Sequence, residues 1–177
     1  MIYLFRIISD ENPIFFRDIV ADSSDSFLKF HHTLQKDLGY DPTQLASFFI
    51  TNHQWEKQQE ITLLDMMPDP GVITFTMDQV TLGELLHEPN QRMIYVFDFF
   101  SDRAFFIELI ETSEEISSKN TPFIGHSKGE APPQLALDLL LDEEADDNLF
   151  DAVDDPEDLR LDDLDLDMLE EGMPEDF

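Results

Sequence analysis

Cysteine is absent from the 177 residues, which excludes disulfides, thiolate nucleophiles, zinc ribbons and iron–sulfur clusters. Basic side chains are scarce: ten Lys and Arg stand against 40 Asp and Glu, for a formal charge of −30. Such a chain repels phosphate backbones, so direct binding of DNA or RNA through phosphate neutralisation is not expected. Long apolar runs are missing as well, since none approaches the roughly 20 residues that a membrane-spanning helix needs. The apolar start Met1 to Phe5 is broken by Arg6, Asp10 and Glu11 and lacks the basic region and apolar stretch of a secretory signal. These absences predict a cytoplasmic protein with no membrane contact.

What is present is unevenly spread. Residues 135–177 hold 19 of the 40 acidic residues and one basic residue, Arg160, whereas residues 1–134 hold 14 of the 16 Phe. The chain therefore divides into residues 1–134, able to bury a core at a typical single-domain size, and an acidic C-terminal extension over 135–177 that repels itself. The extension mixes acid with aliphatics, and Leu161, Leu164 and Met168 share one face of a helical wheel. They are candidate partner contacts in a stretch that is either solvated or docked.

Within 1–134 the periodicity predicts an α+β fold. Ile2–Ile8 and Ile14–Val20 flank Asp10-Glu11-Asn12-Pro13 and read as a hairpin. Ser24 to Ser26 supply N-cap candidates, Phe27, Phe30, Leu34 and Leu38 recur at helical spacing, and Gly39 follows, which predicts the main helix. A strand is predicted over 46–51, ending near Trp55. A turn over 68–71 and a strand over 72–76 follow. Thr81 with Glu84 forms a capping box that opens a short second helix. The clearest hairpin joins 93–100 to 104–110 through Ser101-Asp102-Arg103, and its two-sided apolar strands place it centrally in a mixed or antiparallel sheet. Residues 111–134, rich in Gly and Pro, read as loop.

Three motifs bear on chemistry. Gly125-His126-Ser127-Lys128-Gly129 matches G-x-S-x-G, but Pro132 and Pro133 follow and no His lies downstream, against the order a nucleophile elbow requires. Asp163, Asp165 and Asp167 imitate a calcium loop, yet Met168 and Pro174 stand where Gly and Glu belong. Adjacent His31 and His32 point about 100° apart on a helix and cannot chelate one metal together; one of them is expected to be a hydrogen-bonded helix residue. No phosphate loop or dinucleotide fingerprint is present, so neither cofactor nor metal is expected. Asp98, inside an apolar strand, needs a partner, and Arg17 or Arg103 could supply it; a structural ion pair is the favoured reading there.

Pro13-Ile14-Phe15-Phe16-Arg17, Gly39-Tyr40-Asp41, Phe97-Asp98-Phe99 and Gly129-Glu130-Ala131-Pro132-Pro133 together resemble the plasmid pRiA ORF-three-like family, also labelled transposon passenger proteins, over roughly residues 2–134. The resemblance implies an α+β fold and no established activity. Where that family tends to have Gly-Asp-Asp-Trp-x-His, this chain has Phe100-Ser101-Asp102-Arg103-Ala104-Phe105. The expected function is a non-catalytic binding or adaptor module that engages a protein with a basic surface, the acidic extension contributing. Candidate binding residues are Arg17, Trp55, Asp98, Asp102 and Arg103. Two alternatives stand beside it: a metal-assisted hydrolase or nuclease using Asp98, Asp102 and Glu108, and an accessory protein of a mobile element.

Overall fold

Alternation along the first strand decides what the sheet buries. In β1 (Ile2–Ser9) the side chains of Tyr3, Phe5 and Ile7 are buried while Arg6 and Ile8 face away, as a period of two demands. A turn held by Asn12, which accepts from the Ile14 and Phe15 backbone N–H groups, delays the second strand, so β2 (Phe16–Asp22) begins two residues later than the sequence suggests. Ile14 is left exposed. Next comes α1 (Phe27–Leu38). Ser26 accepts from Lys29 N–H at 3.3 Å at its start, and Gly39 ends it at φ 70°, the left-handed cap that glycine adopts without steric cost. Phe27, Phe30, His31, Leu34 and Gln35 form its buried face.

The structure is a computed structural model and is described here for residues 1–64, 75–114 and 120–135. These belong to the compact unit Met1–Leu140. The predicted turn at 68–71, most of the strand predicted over 72–76, and Leu161, Leu164 and Met168 lie outside the described residues. The order continues with β3 (Ser47–Thr51), β4 (Lys57–Thr62), β5 (Phe75–Thr76), α2 (Leu82–Leu85), β6 (Arg92–Asp98), β7 (Arg103–Ser113) and β8 (Phe123–Lys128). Among the described residues these make one mixed eight-stranded sheet in the order β5-β4-β3-β6-β7-β1-β2-β8, antiparallel except at β4–β5. The hairpin β6–β7 is central, as its two-sided apolar composition predicts. At the start of α2 the Glu84 carboxylate accepts from the Thr81 N–H and hydroxyl at 2.6 and 2.8 Å.

Two strands were not legible in the sequence. The Lys57–Glu60 stretch is polar because most of it faces water near one edge of the sheet, yet it pairs fully with β3. The segment read as loop contains β8, whose residues from Gly125 to Lys128 are exposed at the other edge; an edge strand needs no apolar alternation. On the helix-covered side the core is largely aromatic. Phe48 lies 4.7 Å from Tyr95 and Phe97 lies 4.7 Å from Phe105, ring to ring, while Phe5 meets Phe30 edge-on at 5.1 Å, geometries that aromatic pairs favour.

Candidate functional site

Register alone brings five charged or titratable side chains into one line on the side of the sheet turned away from α1. Arg92 is the Cα partner of Glu108, Glu108 of Arg6, Arg6 of Asp18, and Asp18 of His126. The rung crosses β6, β7, β1, β2 and β8, and its four charged side chains, Arg92, Glu108, Arg6 and Asp18, alternate in sign. Arg6 grips Asp18 with two parallel bonds, Nε to Oδ1 at 2.8 Å and Nη2 to Oδ2 at 2.9 Å, the bidentate geometry that fits guanidinium to carboxylate. Hydrogen bonding to Asp18 raises the already high pKa of Arg6. Arg92 donates to Glu108 at 3.0 Å, and the His126 ring lies 3.8 Å from Asp18. On either side of the rung the same face carries apolar groups. Ile8 is 44 % exposed and Ile110 40 %, and both line a hollow of about 220 Å³ with Arg6, Trp55, Phe106 and Glu108.

Trp55 walls that hollow from a tight loop. Asn52 takes the Gln54 and Glu56 N–H groups on its side-chain oxygen, at 2.9 and 3.0 Å, and the turn this forces leaves Trp55 at φ 65°. Few bulky residues adopt that region. The indole meets Phe106 edge-on at 5.1 Å, and the Arg92 guanidinium lies 4.8 Å from its ring centre. Trp55 is therefore the one sequence-predicted binding residue that stands on this face beside Glu108.

The other predicted residues are placed elsewhere and held by the protein itself. Arg17 pairs with Asp37 of α1 and donates to the carbonyls of Phe16, Lys128 and Gly129 at 2.9 to 3.1 Å; it staples helix to sheet. Asp98 accepts from the Phe100 and Ser101 N–H groups at 3.0 and 3.2 Å and lies 3.7 Å from Arg103, so it closes the β6–β7 turn as a structural ion pair. Arg103 also binds Glu11 with two bonds, 2.9 and 2.8 Å. Asp102 sits at the turn at φ 52°, 84 % exposed, 3.4 Å from Lys57. The hydrolase arrangement does not form: Asp98 lies six residues along β6 from Arg92, the partner of Glu108, which is about 20 Å at strand rise. A shared metal needs oxygens at about 2.0–2.6 Å. Among the described residues no group of three or more His, Asp or Glu is arranged to hold a metal ion.

Ser127 of the G-x-S-x-G match lies within β8 and is exposed, not at a strand-to-helix turn. His31 is the hydrogen-bonded helix histidine that was expected, fully buried with Nδ1 2.9 Å from the Tyr95 hydroxyl. Burial pushes its pKa down to about 4, with His32 adding to the effect. Sequence reasoning missed Arg6, Asp18, Arg92 and His126, although the signal was there. A hairpin about Asn12 must set Arg6 against Asp18, and one about Phe100 must set Arg92 against Glu108.

Sheet, helix and rung define a class: an α+β domain whose mixed eight-stranded sheet packs one face against a main helix and a short second helix. The same fold occurs in the crystal structure of a protein of unknown function from Methanosarcina mazei Go1, with a TM-score of 0.59 and 17 % identity over 75 % of this chain and 71 % of that one. The chain belongs to the plasmid pRiA4b ORF-3-like protein family, whose model matches residues 2–165. That match runs past Gln134 into the acidic stretch, further than the resemblance in the sequence alone had reached. No curated protein matches the chain. Among the described residues no helix is long and apolar enough to cross a membrane.

Proposed function

We propose that the chain is a non-catalytic protein-binding module whose contact surface is the face of the sheet turned away from α1. One observation carries this reading: Ile8 and Ile110 are left substantially exposed in the middle strands of a sheet, around a rung whose charges already neutralise one another. Exposed apolar side chains gathered on one face mark interaction surfaces, and an ion rung paired in advance lowers the desolvation penalty of covering it. The strong negative charge of the chain adds a preference for partners with basic surfaces, which the acidic residues 135–177, with Leu161, Leu164 and Met168, are proposed to contact. The test is affinity capture from native lysate with wild-type protein, the Ile8→Asp and Ile110→Asp variants, and a chain ending at Gln134. Equal recovery of every bound protein by all four would remove both surfaces from the mechanism.

The plasmid in the family's description supports a second reading, an accessory protein of a mobile element. Direct contact with nucleic acid is not part of it, because the four arginines of the described residues are each paired with a carboxylate. Retention of DNA by the protein on a filter at low salt, where phosphate contacts are strongest, would contradict that exclusion.

A further inference from the structure

Resting on the open face as the contact surface, we infer that its occupant is a second copy of this chain, packed face to face about a two-fold axis that runs parallel to the strands midway between β7 and β1. The alternating rung confines the axis to the gaps between strands. An axis through any one strand would set like charge against like: centred on β1, it would bring Arg6 onto Arg6 and Glu108 onto Asp18. Midway between β7 and β1 the same operation sets Arg6 of each copy, 49 % exposed, over Glu108 of the other, 29 % exposed, while Arg92 falls over Asp18, which is only 6 % exposed, so no like charges are opposed. The neighbouring rung obeys the same axis. Phe106 and Ile8 are Cα partners on β7 and β1, so Phe106 of one copy comes over Ile8 of the other. The hollow lined by Arg6, Ile8, Trp55, Phe106, Glu108 and Ile110 faces its own symmetry mate across the axis. A closed two-fold contact of this kind requires a self-complementary patch, and the strand register supplies one.

The footprint sets the strength. Five strands span about 19 Å and a seven-residue strand about 23 Å, so the patch covers about 440 Å² per copy and about 900 Å² for both, at the low end of specific interfaces. Association is therefore weak and concentration-dependent. Two chains of charge −30 also repel one another, and that repulsion reaches about 30 Å at ~0.01 M salt but only about 3 Å at ~1 M. The dimer consequently tightens severalfold as salt is added, the reverse of what a basic partner would show.

Sedimentation equilibrium of the full chain, over protein concentrations from about 5 to about 500 µM and at salt of ~0.01 and ~0.5 M, reads the association. Expected is a monomer–dimer equilibrium that strengthens with salt and vanishes in Ile8→Asp, a substitution at a side chain already 44 % exposed, with an unchanged far-UV spectrum confirming that the variant folds. Because the chain has no cysteine, single spin labels at His126→Cys and Glu60→Cys locate the axis. With sheets about 10 Å apart and strands about 4.8 Å apart, the backbones at 126 lie about 26 Å from their mates and those at 60 about 35 Å. Monomer at every concentration, a dimer that survives Ile8→Asp, or a longer distance at 126 than at 60 each overturns the inference. Should the wild type stay monomeric while Ile8→Asp loses a distinct captured protein, the second copy is wrong and the binding face stands. Should Ile8→Asp change neither, both fall.

Discussion

His31 gives the fold a pH dependence whose sign and size follow from its surroundings. The ring is 1 % exposed. His31 Nδ1 lies 2.9 Å from the Tyr95 hydroxyl, to which Gln35 Nε2 donates at 3.2 Å, while His31 Nε2 is buried without a hydrogen-bond partner, so protonating both ring nitrogens would bury a charge with an unmet donor. Burial lowers the folded pKa from 6.5 to about 4, while the unfolded chain titrates near 6.5. Because the unfolded state takes up the proton first, the neutral His31 stabilises the fold fully above pH 6.5, and that contribution is lost as pH falls toward 4. At about 1.4 kcal/mol per unit the whole effect is about 3 kcal/mol, of which about 2 kcal/mol has gone by pH 5. Urea unfolding at about pH 7.5 and pH 5 of wild type and His31→Gln, which keeps an acceptor for Tyr95 but cannot titrate, isolates it together with its coupling to His32, since shifts at distant groups cancel in the difference. The wild type should lose about 2 kcal/mol more than the variant between the two pH values. Equal losses would show that His31 is reachable by water in the folded state and refute the reasoning.

Three further outcomes are expected. Gly39→Ala, at φ 70° with nothing within 4 Å of the added carbon, costs about 1 kcal/mol of pure backbone strain, whereas Gly129→Ala, whose added carbon would lie 2.9 Å from Phe15 Cα, costs about 3 kcal/mol because strain and overlap add; thermal melts that rank the pair the other way would contradict this. Arg103→Met removes both the two-bond grip on Glu11 and the 3.7 Å pair with buried Asp98 and costs about 3 kcal/mol, and Lys in its place recovers only part because it cannot reproduce the two-bond grip. Trp55→Gly relieves the φ 65° backbone while removing the indole, so chemical denaturation should show a net change within about 1 kcal/mol although contact through the open face is lost; a loss above about 3 kcal/mol would make Trp55 part of the fold and not of the surface.

The parts of the molecule written in local chemistry were legible in the sequence. Ser26 and Gly39 bracket the helix, Thr81 and Glu84 open the short one, and the two-sided apolar runs of β6 and β7 put that hairpin at the centre. What escaped notice had no local signature. Strand β8 is polar because it lies at an edge, and β4 because it lies near one, and both are strands only because β2 and β3 present backbone groups to them. The rung escaped for the same reason: Arg6 and Arg92 are 86 positions apart, and only the order of the strands lines them up. Arg17 and Arg103 stand out in the sequence as candidate binding residues, but a cation set among apolar residues is as readily a staple as a binding group, and each here is held by a carboxylate.

The use made of arginine explains why an acidic protein presents so little positive charge outward. Arg6, Arg17, Arg92 and Arg103 each pair with a carboxylate, and each also lies over an aromatic ring, Phe16, Phe15, Trp55 and Phe97 respectively, at 4.6 to 5.2 Å. A planar guanidinium can do both at once, which an ammonium does poorly. Every such pair removes one carboxylate from the exterior field along with the arginine. A surface built this way can bury its central rung against a complementary face without stranding an ion, because each charge brings its counter-ion with it. The side of the sheet turned away from α1, where Arg6 with Asp18 and Arg92 with Glu108 are paired in this way, therefore suits the contact proposed for it.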